Sequence, residues 1–287
     1  MCDEQSVDDM WTRRQLGQAG LGTAAALLVP AVANAKGSAR KLTETEITIK
    51  TPDGVCDAYF VHPARGRHAG VLIWVDILGL RPAFRQMASR LAESGYSVLV
   101  PNPFYRTRPA PTAVPGANLQ DEKTRKELFA LAGTLNPQTQ LTDAKAFIGF
   151  LDGAAAVDKK RKIATTGYCM GGPIVLRTAG AFAGRIGAAA SFHGGGLVTD
   201  KPDSPHHSIG QMRGAALIAI ADNDDQRSPD DKNVLRRSFD AAKLSAEIEV
   251  YKGAMHGWCP PDGMAYNKDA AEKAWGRMLA LFEKGLA

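Results

Sequence analysis

Near the middle of the chain, Gly167-Tyr168-Cys169-Met170-Gly171-Gly172 follows a short apolar run at 163–166 and precedes a segment with helical spacing. A thiol flanked by glycines two residues before and two after, between a strand and a helix, is the pattern of a nucleophile elbow. The glycines leave room for neighbouring backbone to approach a sharply turned, strained residue. The helix that starts directly after Cys169 aims free N–H groups and the positive end of its dipole at the sulfur, which favours a thiolate. The N–H of Met170 is placed to hold an oxyanion. A small buried cysteine at a strand end would account for the thiol but not for the paired glycines ahead of a helix.

A thiol nucleophile needs a base. Behind an elbow of this kind the acid and then the histidine follow in chain order. Of the six histidines (His62, His68, His193, His206, His207 and His256), only His256 lies beyond an acid that itself follows a strand after Cys169. It sits in Gly253-Ala254-Met255-His256-Gly257-Trp258, a small-residue loop after the last strand. For the acid, the apolar run at 215–221 ends in Asp222-Asn223-Asp224-Asp225. Asp222 is close enough to the strand end to cap it or face the sheet. Asp224, at the apex of the turn, is the choice for orienting imidazole, while spacing alone leaves Asp222 and Asp225 open.

The elements that position these residues are legible as apolar runs alternating with helical patterns. Strands are expected at 46–50, 56–62, 70–75, 96–100, 163–166, 186–192, 215–221 and 246–251. Helices are expected at 81–94, 120–131, 137–151, 173–182, 230–242 and 265–284, with Asn136 capping the third and Pro137 at its first position. The stretch 104–117 is proline-rich and reads as a long irregular loop, of the kind that serves function. Strand–helix alternation throughout predicts an α/β fold with one doubly wound, mostly parallel sheet and helices on both faces.

The 287 residues, 45% hydrophobic and 23% charged, exclude a disordered chain, a disulfide-stapled miniprotein and a collagen-like fibre. No apolar run reaches the roughly 18 residues that cross a bilayer. Residues 1–35 read as an export signal of twin-arginine type: Arg13-Arg14 precedes a weakly apolar stretch that ends in Ala33-Asn34-Ala35. The expected protein is then a single domain over 36–287, periplasmic, with no membrane contact once the signal is removed. Loss of the signal takes away two basic and four acidic residues and moves the formal net charge from +5 to +7. It also removes Cys2 and leaves Cys56, Cys169 and Cys259, an odd number, so at least one thiol lacks an intramolecular partner. A disulfide between Cys56 and Cys259 stays open at this point.

Gly167-Tyr168-Cys169-Met170-Gly171-Gly172 resembles the signature of the dienelactone hydrolase family, thiol members of the α/β-hydrolase fold. The resemblance runs over about residues 44–284. Asp76-Ile77-Leu78-Gly79 is similar to the family's acidic-Ile-x-Gly segment, Pro101-Asn102-Pro103-Phe104-Tyr105-Arg106 to its Pro-Asp-Leu-Tyr-x-Arg loop, and Phe192-His193-Gly194 to its Tyr/Phe-His-Gly strand end. The resemblance implies an ester or lactone hydrolase in which Cys169 attacks the carbonyl, His256 manages protons and Asp224 orients His256. It implies an oxyanion site between the N–H groups of Ile77 and Met170, and a thiol-activating role for Asp76, an Asp where Glu is typical. Arg106, with Tyr105 beside it, would meet a substrate carboxylate. The family's second arginine, just past the catalytic histidine, is absent; Gly257-Trp258-Cys259-Pro260-Pro261 stands there, and Trp258 is expected to favour an apolar or aromatic acyl group.

No cofactor or metal is expected. Asp203, His206 and His207 lie close in sequence but without a metal-binding framework. The basic run Lys159-Lys160-Arg161-Lys162 has no interleaved aromatics, so no nucleic-acid partner is expected, only a small-molecule ester or lactone and a monomeric enzyme. A general carboxylesterase or thioesterase, or a catalytically idle thiol sensor, are the competing readings.

Overall fold

The computed structural model describes residues 40–114 and 116–287; the export-signal reading of residues 1–35 lies outside them. Eight strands form one sheet: β1 (Leu42–Thr51), β2 (Gly54–Pro63), β3 (Gly70–Trp74), β4 (Ser97–Pro101), β5 (Ile163–Tyr168), β6 (Ile186–Phe192), β7 (Ala215–Ala221) and β8 (Ala246–Tyr251). Their spatial order is β1-β2-β4-β3-β5-β6-β7-β8. The β1–β2 and β2–β4 pairings are antiparallel and every other pairing is parallel. The central strands β3, β4, β5 and β6 are buried at every residue, as continuous apolar runs between two helical layers must be.

Helices α1 (Pro82–Glu93) and α7 (Lys268–Gly285) cover one face of the sheet; α3 (Pro137–Gly153), α4 (Gly171–Ala181) and α6 (Asp231–Ala241) cover the other. Side chains alternate between the layers: Val71 and Ile73 pack with Phe84 and Phe282, whereas Leu72 and Trp74 pack with Phe147 and Val175. Helix α2 (Glu122–Gly133) makes a separate small cluster, placing Leu128 and Leu131 on Ile77 and Phe104. The expected Asn136 cap forms, and Asp121 caps α2 as well. Asn136 accepts from the Thr139 N–H while the Thr139 hydroxyl receives the Asn136 N–H, and Asp121 accepts from the Thr124 N–H.

Beyond shifts of one to three residues at element ends and a 3-10 helix at Pro205–Gln211, two details differ from the expectation. Strand β1 begins at Leu42, because its Thr/Glu-rich first half pairs with β2 along the sheet edge without burying an apolar face. The acidic segment after β7 is a short helix, α5 (Asp222–Arg227), with no apolar spacing to announce it. Cys56 and Cys259 are both free and belong to the clusters on opposite faces of the sheet, so no disulfide joins them.

The layers close tightly around the β5–α4 turn. A Cβ on Gly167 would stand 2.4 Å from the Gly171 carbonyl oxygen, and one on Gly171 would stand 2.3 Å from that of Trp74. The expected outcome of Gly171→Ala is a loss of about 1–3 kcal/mol in stability, the usual size of an overpacking defect. Denaturant unfolding reads this as a lowered midpoint at unchanged slope, and an unshifted midpoint contradicts the close approach.

Candidate active site

Connections at the carboxyl ends of β3, β4, β5 and β8 line one cleft, and the connection after β7 reaches it through His256. The cleft volume is about 210 Å³, and Ile77, Cys169 and His256 line it. Cys169 is partly exposed and lies directly after β5, with φ at 53°, in the left-handed region that costs an ordinary residue about 1–2 kcal/mol. The neighbourhood holds it there. Its N–H is shared between the Phe192 carbonyl oxygen at 3.1 Å and His193 Nδ1 at 3.2 Å, and its carbonyl accepts the Gly172 N–H at 3.0 Å. A Cβ on Gly172 would meet Ser191 Oγ at 2.5 Å, so that glycine lets α4 start against β6.

His256 Nδ1 lies 2.6 Å from Asp224 Oδ2, in the first turn of α5. The three neighbours of Asp224 have other duties. Asp222 accepts the Gly253 N–H at 3.0 Å and Lys252 Nζ at 3.0 Å. Asn223 Oδ1 accepts the His256 N–H at 2.8 Å, and Asp225 pairs with Lys232. Consecutive side chains at the start of α5 thus stitch the β8–α7 loop to the end of β7, and only Asp224 reaches the imidazole. Asn223 carries no chemistry of its own and was not singled out from sequence; its signal is visible only once the two loops meet.

Burial alone would lower the His256 pKa, but Asp224 and Cys169 both stabilise the imidazolium and lift it to about 10. Behind it stands His193, fully buried, with its ring centroid 5.2 Å from that of His256 and 5.0 Å from Trp258. Burial, with the nearby His256 second, drives the His193 pKa well below the ordinary value, so this ring is neutral. Accepting the Cys169 N–H on Nδ1 puts its proton on Nε2, which has no partner among the described residues. In the sequence His193 showed only as part of a strand end.

The amides of Ile77 and Met170 donate to no other described residue, and the Met170 side chain packs on the same small cluster as Ile77. The remaining expectations meet different surroundings. The Asp76 carboxylate lines the cleft but is gripped by Arg81, through Nη1 at 2.6 Å and Nη2 at 2.9 Å, and also accepts the Leu78 N–H at 2.9 Å. Burial pushes the Asp76 pKa up and Arg81 pulls it back; a carboxylate so enclosed needs its cation, so it is committed to Arg81 and not to the sulfur. Arg106 lies away from the cleft. Asp143, buried on α3, takes two of its N–H groups at 2.7 and 2.8 Å, and Asp53 takes two more. Tyr105 joins the same network through Thr51 and Asp143. Both side chains are engaged in this network. Trp258 is fully buried: Gly257, at φ 92°, turns the chain after His256, and the indole stacks on Tyr251 at 5.1 Å. It backs His193 and does not face the cleft. His206 and His207 bond to Ser204 and the Pro202 carbonyl within their own loop.

Sheet order, elbow and cleft together define an α/β-hydrolase. The family model described as the dienelactone hydrolase family matches residues 56–286. The carboxymethylenebutenolidase of Rhodococcus opacus is 25% identical over 244 residues, covering 83% of this chain and 90% of its own. That of Pseudomonas putida is 24% identical over 239 residues, covering 81% and 93%. A dienelactone hydrolase-like promiscuous phosphotriesterase from metagenomic libraries superposes with a TM-score of 0.70 at 20% identity, covering 86% of this chain and 99% of its own, which speaks to fold. The chain belongs to the dienelactone hydrolase family and is a hydrolase of ester and lactone bonds.

The raised His256 pKa fixes a sign. A folded-state value of about 10 against an ordinary 6.5 contributes stability that is full below pH 6.5 and lost as pH rises through about 10. Removing the partner with Asp224→Asn is therefore expected to lower Tm at pH 6.5, with the gap to the unmodified protein closing by pH 10.5. A gap of equal size across that range contradicts the pairing.

Proposed function

We propose that this enzyme hydrolyses its ester or lactone through a thioester acyl-enzyme, with Cys169 as nucleophile, His256 as general base and acid, and Asp224 holding the imidazole. The observation that carries the reading is the 2.6 Å bond from His256 Nδ1 to Asp224, in a cleft shared with a strained, partly exposed Cys169. His256 holds the proton that Cys169 gives up, and Cys169 Sγ attacks the carbonyl carbon. The new C–S bond pushes the carbonyl electron pair onto oxygen. The amides of Ile77 and Met170, with no other acceptor among the described residues, are the donors for that charge. Collapse restores the carbonyl and breaks the bond to the alcohol oxygen, which leaves with the proton from His256. A water then gives its proton to His256 and attacks the thioester. The carboxylic acid departs and the thiol is regenerated.

Asp224 has the role of keeping the imidazole in the tautomer whose Nε2 can exchange that proton, and of stabilising the imidazolium in between. His256 is raised rather than lowered, so it holds its proton readily for the leaving alkoxide. The reading extends to a monomer acting after export, with residues 1–35 as the signal.

Cys169→Ala is expected to abolish turnover of p-nitrophenyl acetate. His256→Ala should cost about 10²–10⁴-fold in kcat, the range of a general acid–base catalyst. Both variants should keep the native circular dichroism spectrum. Folded variants that retain most of the activity contradict the assignment.

A further inference from the structure

We infer that the substrate is an uncharged ester or lactone whose apolar arm lies in the groove beside the cleft. This rests on the thiol-hydrolase reading and adds a substrate class to it. The first observation is that, apart from the catalytic His256, itself held by Asp224, the cleft offers no free cation among its described residues. Its one guanidinium, Arg81, donates Nε to Asp262 Oδ2 at 2.8 Å, Nη1 to Asp76 Oδ1 at 2.6 Å and the Gly79 carbonyl at 3.3 Å, and Nη2 to Asp76 Oδ2 at 2.9 Å and Asp262 Oδ1 at 3.0 Å. Those five bonds use all five N–H groups of the side chain. A carboxylate arriving here meets a saturated guanidinium flanked by two carboxyl groups, and displacing either one exposes it to like charge. Arg106 gives no help, because Asp143 and Asp53 hold it elsewhere.

The second observation is space. The cleft alone, about 210 Å³, is below the ~300–1,000 Å³ usual for a small-molecule site. A groove of about 560 Å³ continues from it, sharing Leu78, Arg81, Ala117 and Asp262 as lining residues. Its further walls are mostly apolar, with Gln86 the one polar side chain: Pro82 and Ala83 at the start of α1, and Pro111 and Ala113 on the proline-rich segment opposite. The shared residues make the groove continuous with the reacting centre, so what fits it is the unreactive part of the same substrate. Each methylene buried there contributes binding in proportion to apolar area removed from water.

The same Arg81 bonds tie the β3–α1 connection, which carries Ile77, to the β8–α7 loop, which carries His256. A charged arm that opened this clasp would loosen the oxyanion donor and the base together. The clasp therefore selects against anions in the chemical step as well as in binding.

The test measures kcat/KM on two neutral series, p-nitrophenyl esters from acetate to octanoate and acetate esters from ethyl to octyl alcohol, together with p-nitrophenyl hemisuccinate. At least one series should rise tenfold or more with length. The hemisuccinate should fall at least tenfold below the valerate, the neutral ester of similar reach. Ala113→Trp, which narrows the groove, should collapse the octanoate-to-acetate ratio of the series that rises. Asp262→Asn, which removes one of the two carboxylates, should narrow the gap between hemisuccinate and valerate. Turnover of acetate with neither series rising, or with hemisuccinate matching valerate, overturns the substrate class and leaves the thiol mechanism standing. No hydrolysis of any ester, or hydrolysis that survives Cys169→Ala, overturns the mechanism and the inference with it. Should either variant fail to fold, the two series on the unmodified protein decide.

Discussion

Cys169 can occupy a left-handed backbone conformation only because three neighbours come closer than side chains would allow. Gly167 lies against Gly171, Gly171 against Trp74, and Gly172 against Ser191 and Gly194. That crowding sets where α4 begins, how β5 sits between β3 and β6, and how far the sulfur projects into the cleft. The N–H of Cys169 then needs an acceptor, and His193 supplies one from a ring that burial keeps neutral. The same ring stands behind His256, so the strain at the nucleophile and the placement of the base share one support. Trp258 and Tyr251 close the far side of that support as a stacked pair within the core.

Buried carboxylates decide the rest of the site's electrostatics. An ionised carboxylate taken out of water requires a cation, and each one here has found its own. Asp143 on α3 draws Arg106 away from the cleft, and Asp76 draws Arg81 into a clasp with Asp262. Among the carboxylates at the start of α5, Lys252 and Lys232 serve Asp222 and Asp225. His256 is left for Asp224. On the proposed mechanism, the choice of Asp224 as acid follows from which partners the other acids take, not from the acidic run itself.

This is also where the legibility of the sequence ends. The strand–elbow–helix unit is local, so Cys169 and its glycines could be read from spacing, and chain order alone selected His256. Six helices and eight strands followed from periodicity because their apolar faces are long. Arg106, Tyr105 and Trp258 could not be placed that way. The partner of Arg106 on α3 lies 37 residues along the chain, and nothing between them signals the pairing. Trp258 reads as a pocket residue beside the histidine until the turn at Gly257 sends it into the core. Arg81 had only the look of a helix start, and its value comes from Asp262, 181 residues later. The family pattern supplied the expected roles, and the tertiary structure gives Asp76, Tyr105 and Arg106 partners that the pattern did not show.

The central claim is that the acyl group passes through the sulfur of Cys169. It is tested most directly by acid-quenching the enzyme within one turnover of p-nitrophenyl acetate and measuring the peptide that contains Cys169 by mass spectrometry. The account predicts a peptide heavier by one acetyl group, on the cysteine, labile to hydroxylamine and absent in Cys169→Ala. An unmodified Cys169 peptide while p-nitrophenol is released in a burst, or an acetyl group carried by another residue, would contradict it.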